Sequence, residues 1–141
     1  MSAQPLPPLT HIPPYLQTIA DYEQQAKKHL TENTWHYLQG GAMDEISVRN
    51  NLDEFKKIQL IPRHLNDFTQ GNTYCEILGQ SFPHPSFLAP IGHQQLFNPE
   101  AETASALAAE VLGSNLVLST FTNTDLRRLK KENPLKWFQL Y

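Results

Sequence analysis

The sequence predicts an α/β protein built on a parallel sheet. Three apolar runs read as buried strands: Ser86-Phe87-Leu88-Ala89-Pro90, Asn115-Leu116-Val117-Leu118-Ser119 and Trp137-Phe138-Gln139-Leu140-Tyr141. A helical pattern follows each of the first two, giving the strand–helix–strand order of a parallel sheet. Spacing of about 22 to 29 residues between strand starts matches the βα repeat of a barrel or a doubly wound sheet. Polar side chains collect at the carboxyl ends of these strands, where α/β proteins bind their ligands.

Residues 1–14 hold five of the 11 prolines and form a Pro-rich arm, read as an extended leader or, alternatively, a short PxxP-like ligand. Residues 15–141 form the remainder. Leu16, Ile19, Ala20, Ala26 and Leu30 fall on one face at helical spacing, with Glu23 the polar interruption. A second helix is expected from about Asn33 to Gln39, closed by Gly40-Gly41 as a left-handed cap. A third spans about Asp44 to Ile58, capped by Asp44 and Glu45, with Val48, Leu52 and Phe55 facing inward and Pro62 blocking continuation. A hairpin follows, with a strand from Thr73 to Leu78, a Gly79-Gln80 turn, and Ser81-Phe82 opening the partner; such a ribbon suits the bottom of a barrel.

After the first core strand, Asn98 is placed to cap a helix with Pro99 at its first position and Glu100 in its first turn. Ala104, Leu107, Ala108, Val111 and Leu112 would be its inner face, and Gly113 its end. Thr122 or Thr124 is expected to cap a short helix through Leu126 and Leu129, ended by Asn133-Pro134.

At 141 residues and 40% hydrophobic, the chain can bury one core. The net charge of −3 and the scattered 11 basic residues argue against a nucleic-acid surface; Lys27-Lys28 and Lys130-Lys131 read as solvated helix ends. Cys75 is the single cysteine, so no intramolecular disulfide forms and no thiol-rich metal site is expected. The amino terminus lacks the basic start and apolar run of a signal peptide, and no stretch approaches 18 apolar residues. A cytoplasmic, reducing location is the expectation.

Four groups would share the carboxyl end of the sheet: the backbone after Pro90 (Ile91-Gly92), the Ser119 hydroxyl, the Gln139 amide and the Tyr141 phenol. Gln139 and Tyr141 lie two apart on one strand and so share a face. Together they suit a flat heterocycle rich in donors and acceptors. Spacing alone equally allows a purely structural role, with Ser119 capping a turn and Gln139 and Tyr141 filling the interior. No GxGxxG or GxxxxGK[ST] phosphate loop is present, and the six histidines show no HExxH or comparable ligand pairing. His93 reads as a solvated loop histidine.

The runs Tyr37-Leu38-Gln39-Gly40-Gly41-Ala42-Met43-Asp44-Glu45, Pro62-Arg63-His64-Leu65, Leu88-Ala89-Pro90, Pro99-Glu100-Ala101-Glu102, Leu118-Ser119 and Trp137-Phe138-Gln139-Leu140-Tyr141 occur in one order. With Asn50/Asn51 between the first two, they resemble the N-terminal portion of the FMN-dependent 2-hydroxy-acid oxidases and dehydrogenases, of glycolate oxidase, lactate oxidase and L-lactate dehydrogenase type. The resemblance covers nearly everything from Tyr15 to Tyr141. It implies a (β/α)₈ TIM barrel, here cut after about its third strand, preceded by N-terminal helices and a β-hairpin; a closed barrel needs about 250 residues.

The resemblance also implies FMN at the carboxyl ends of the strands, approached by the backbone of Pro90, Ile91 and Gly92 and hydrogen-bonded by Ser119 and Gln139. Tyr37 and Tyr141 would bind a small 2-hydroxy acid, their phenols serving as donors, with Tyr141 also at the reacting centre. In such enzymes a histidine takes the hydroxyl proton as hydride passes to the flavin. That histidine, the substrate arginines, a lysine beside the flavin and the phosphate-binding segment come from later strands, so this chain is expected to be an inactive fragment. Non-catalytic alternatives are a remnant of the enzyme or a small α/β binding module. Ile91 stands where the family often has a small or hydroxylated residue, Ala101 where it usually has glycine, and Phe121 at a variable position near the substrate. A full-length form would be a homo-oligomer, and the resemblance leaves membrane association open.

Overall fold

The computed structural model describes residues 4–132 and 137–141, without the side chains of residues 130–132. The predicted helix stop at Asn133-Pro134 lies outside the described residues. The chain forms two compact units, Met1–Leu65 and Asn66–Tyr141. Among the described residues no helix is long and apolar enough to cross a membrane.

The first unit holds three helices: α1 (Ile19–His29), α2 (Glu32–Gln39) and α3 (Ile46–Lys57). A capping box starts α1. Asp21 N–H donates to the Thr18 hydroxyl at 3.2 Å, and the Asp21 carboxylate accepts Thr18 N–H at 2.8 Å. Lys27, Lys28 and His29 close the helix at its negative end. The expected apolar face is buried only in part: Leu16 is buried and Ala26 and Leu30 are half-buried, while Ile19 and Ala20 are exposed. Ile19 is 89% exposed, and Gln25 is the buried helical residue, accepting from Tyr15 and Lys28 and bonding His29. The Pro-rich arm reaches α1 through Leu6 N–H, which donates to Lys28 O at 2.9 Å.

Thr31 caps α2 by accepting Thr34 N–H at 3.2 Å. Gly40 is not left-handed as expected; its φ of −67° is extended backbone. These glycines allow close approach instead: a Cβ on Gly41 would sit 2.4 Å from Val48 Cγ2. Glu45 stands at the start of α3 but supplies no side-chain cap, because its carboxylate accepts Gly41 N–H at 3.0 Å. The expected inner residues Val48, Leu52 and Phe55 are all exposed, and α3 ends at Lys57, short of Pro62.

The second unit opens with the hairpin of β1 (Cys75–Ile77) and β2 (Gln80–Phe82), paired antiparallel. Its turn is Leu78-Gly79, not Gly79-Gln80. Both residues have positive φ (51° and 71°), the pattern of a type I′ turn, which leaves Gln80 free to pair with Ile77. Phe82 is fully buried and packs edge-on against Phe87 and Trp137, with ring centroids 4.8 and 6.0 Å away. The ribbon therefore covers the amino ends of the core strands, as a barrel plug would.

Three chain segments pair in parallel. Leu88 bridges to Leu116, donating to Asn115 O and accepting from Val117 N. β3 (Val117–Leu118) pairs with β4 (Trp137–Phe138) in the register Val117↔Trp137 and Leu118↔Phe138. The regular ladders are shorter than the five-residue runs predicted from the sequence.

Between them, α4 (Ala101–Val111) and α5 (Leu126–Glu132) make the crossovers, with a 3₁₀ turn at Gln94–Leu96 before α4. Asn98 does not cap α4. Its Oδ1 accepts Glu100 N–H at 2.8 Å, and the helix begins three residues later at Ala101. The end is a full Schellman motif: Gly113 N–H donates to Glu110 O, Ser114 N–H to Ala109 O, and Gly113 has φ 62°. The buried face of α4 is Glu102, Ala106 and Ala109, while Leu107, Val111 and Leu112 are exposed. Ala106 and Ala109 join Leu116, Leu118 and Leu129 in the core, since short side chains let helix and strands approach closely. Asp125, rather than Thr122 or Thr124, caps α5 by accepting Arg127 N–H at 2.8 Å.

Candidate functional site

The polar cluster lies where β3 and β4 end. Ser119 follows β3 and is buried; its hydroxyl donates to Gln139 Oε1 at 3.3 Å and accepts Phe121 N–H at 3.2 Å. Gln139 follows β4, held in line by its N–H to Leu118 O at 2.8 Å. Thr120 adds a hydroxyl bond to the Gln139 carbonyl. The parallel register makes the two residues neighbours: with Leu118 opposite Phe138, the next residues on each strand meet.

The loop after Leu88 reaches the same end. Pro90 and Gly92 are half-buried and Ile91 is exposed. Gln94 Nε2 approaches Ile91 O at 3.5 Å, and Ser105 donates to Gln94 Oε1 at 2.7 Å, so the loop is tied back to α4. His93 then turns into the left-handed region (φ 54°) and donates its N–H to Phe121 O at 3.0 Å. It is half-buried, not the solvated loop histidine expected. Its ring stacks on Phe121, with centroids 5.4 Å apart and planes 24° apart. Tyr141 also packs on Phe121, tilted by 57° with centroids 5.1 Å apart. Three aromatic rings, one from each βα loop or strand end, therefore border the Ser119–Gln139 pair.

Ser119, Gln139, Tyr141 and the Pro90–Gly92 backbone thus all belong to the second unit. Tyr37, by contrast, stands on α2 in the first unit and is half exposed. A mainly apolar groove of about 390 Å³ runs along α4, lined by Leu88, Ile91, Phe97, Ala104 and Ala108, with Gln94, Asn98 and Ser105 as its polar lining.

One buried group escaped the sequence reading. Glu102, in the first turn of α4, is fully buried; its carboxylate accepts the Thr124 hydroxyl at 2.6 Å and Asn123 N–H at 3.4 Å. The available signal was its place three residues after Pro99, where a carboxylate favours the positive end of the helix. A helical wheel built on apolar residues cannot flag a buried acid.

A protein-family model described as FMN-dependent dehydrogenase matches residues 26–141, and the chain belongs to that family. It is 37% identical over 135 residues to an L-lactate oxidase from Alicycliphilus denitrificans, covering 95% of this chain and 37% of that protein. It is 34% identical to 2-Hydroxyacid oxidase 2 of Homo sapiens, covering 89% of this chain and 36% of that protein. A solved structure of mandelate oxidase with (S)-4-hydroxymandelic acid superposes with a TM-score of 0.78 at 34% identity, over 86% of this chain and 34% of that one. A soluble mutant of the membrane-associated (S)-mandelate dehydrogenase from Pseudomonas putida gives 0.79 at 34% identity, over 89% and 36%. The chain spans about a third of the length of the relatives it matches. What it matches is the N-terminal portion of that family.

Proposed function

We propose that this chain carries the flavin-edge and part of the substrate side of an enzyme that oxidises a small L-2-hydroxy acid, lactate- or glycolate-like, to the 2-oxo acid. The observation that carries the proposal is the Ser119–Gln139 pair at the carboxyl ends of two adjacent parallel strands. A hydroxyl, a primary amide and the backbone of Pro90, Ile91 and Gly92 form a donor–acceptor set that fits the polar edge of a flat heteroaromatic ring. Because Ser119 gives its proton to Gln139 Oε1, the Gln139 Nε2 hydrogens are the donors the pair can offer to a ring carbonyl or nitrogen. Bound there, FMN would supply the hydride acceptor.

Tyr141 and Tyr37 would donate from their phenols to the substrate carboxylate and hydroxyl, orienting the α-carbon for hydride loss. His93, Phe121 and Tyr141 would make that side of the cleft aromatic. The fold supporting these residues is the opening of a (β/α)₈ barrel, residues 15–141, with the hairpin beneath and residues 1–14 as a leading arm. The half-buried single cysteine suits a reducing, cytoplasmic setting.

The test joins residues 1–141 to the complementary C-terminal portion of the Alicycliphilus L-lactate oxidase. The expected product is a yellow protein whose visible flavin band bleaches anaerobically on adding L-lactate or glycolate. A chimera with a cooperative fold but no flavin would overturn the reading.

A further inference from the structure

We infer that Glu102 is a positioning residue, which fixes the loop after β3 and through it the Ser119–Gln139 pair; its relevance to flavin binding rests on the function proposed above. A fully buried carboxylate is costly unless its oxygens are satisfied. Among the described residues Glu102 has no ion pair. Its partners are the Thr124 hydroxyl at 2.6 Å and Asn123 N–H at 3.4 Å, and it lies in the first turn of an 11-residue helix, whose positive end offsets part of its charge. Such a group orders the loop that satisfies it.

That loop runs from Ser119 to Asp125 and has three attachments. On one flank Phe121 O accepts His93 N–H, and on the other Thr120 and Ser119 bond Gln139. Behind, Thr124 and Asn123 bond Glu102. The Glu102 attachment is the one that ties the loop to a fully buried helical side chain with two acceptor bonds. Thr122 continues the restraint inward: its hydroxyl accepts Thr124 N–H at 3.2 Å, and its own N–H donates to Ser119 O at 3.2 Å. The chain Glu102–Thr124–Thr122–Ser119 thus links the buried acid to the backbone carbonyl of Ser119, the residue whose hydroxyl faces Gln139. Without it, the loop would hold Ser119 and Phe121 only through the bonds at its edges.

The test is site-resolved hydrogen exchange on the full 141-residue chain, without flavin, in Glu102→Ala, Glu102→Gln and Thr124→Val. Glu102→Ala should speed exchange at the Phe121, Thr122 and Asn123 amides roughly tenfold or more, as expected for loss of the buried hydrogen bonds that hold the loop. The Gln139 amide, which donates to β3, and the amides of α4 should change little. Glu102→Gln keeps an acceptor for Thr124 and should rescue part of the effect. Thr124→Val removes only the hydroxyl donor and should loosen the same three amides, which decides the matter if Glu102→Ala does not fold. Unchanged loop exchange, or an equal rise across loop, ladder and α4, would refute the positioning role. Because no flavin is present, this result is independent of whether the chimera binds FMN.

Discussion

Ala101 begins α4 with φ at 47°, a left-handed conformation that an L-residue with a Cβ adopts only under constraint. Two contacts of Asn98 hold it. Asn98 Oδ1 holds Glu100 N–H, and Asn98 O holds Ala101 N–H at 3.0 Å, so the chain must reverse hand in one residue before the helix can run. The left-handed region costs a residue other than glycine roughly 1–2 kcal/mol, against about 0.5–1 kcal/mol for glycine's greater loss of freedom. Ala101→Gly is therefore expected to stabilise the chain by up to about 1 kcal/mol and raise its thermal midpoint by a few degrees. Scanning calorimetry would check this; a lowered midpoint would show that the buried alanine methyl outweighs the backbone strain. The sequence already pointed here, because Ala101 stands where the resemblance expects glycine. It could not show why: a required hand is a property of backbone geometry, which residue identity only hints at.

Helix ends were read little better than helix faces: Gly40, Glu45 and Asn98 do not cap as expected, and Gly113 does. Gly113 ends α4 as expected, with positive φ, and also leaves no room for a Cβ, which would meet Pro83 Cγ at 2.9 Å. Of the expected faces, Ile19 of α1, Val48, Leu52 and Phe55 of α3, and Leu107, Val111 and Leu112 beside α4 are exposed. On α4 close packing against the strands selects alanine over leucine, a choice that hydrophobicity ranks the wrong way. The start of α1 supports a pH prediction. The Asp21 carboxyl is held below its ordinary range by the Thr18 hydroxyl first, then by the backbone N–H groups of Thr18 and Gln17. A depressed carboxyl contributes stability above its unfolded value, close to 4, and loses it as pH falls through the lower folded value. The difference in helix stability between the native chain and Asp21→Asn should thus be constant from neutral pH to about 4 and close below it. Circular-dichroism melts across that range would show it; a gap that persists in strong acid would rule out the carboxylate as its source.

At the scale of the molecule, the parallel three-segment core and the Ser119–Gln139 pair were legible because strand runs and their carboxyl-terminal polar residues are local in sequence. The role of Tyr37 rests on the resemblance alone, since no local pattern ties α2 to the site. The chain alone is expected neither to retain FMN nor to oxidise lactate or glycolate. None of its described residues has been placed as a base for the substrate hydroxyl, and losing general-base catalysis typically costs about 10²–10⁴-fold in rate. No loop in the chain has a phosphate-binding sequence, and phosphate contacts normally anchor such a cofactor. The second unit leaves Leu107, Val111 and Leu112 of α4 and Leu140 beyond β4 exposed, and its Asn115 side chain is buried with no partner among the described residues. An apolar helix face beside a short strand edge favours association between copies. Purified at neutral pH, the 141-residue chain should therefore be colourless, self-associate as its concentration rises, and show no turnover on a panel of 2-hydroxy acids. Visible spectroscopy, light scattering and an oxygen- or dye-coupled assay would check each part. A monodisperse yellow protein that bleaches on adding substrate would mean that the residues described here bind the flavin and reduce it unaided.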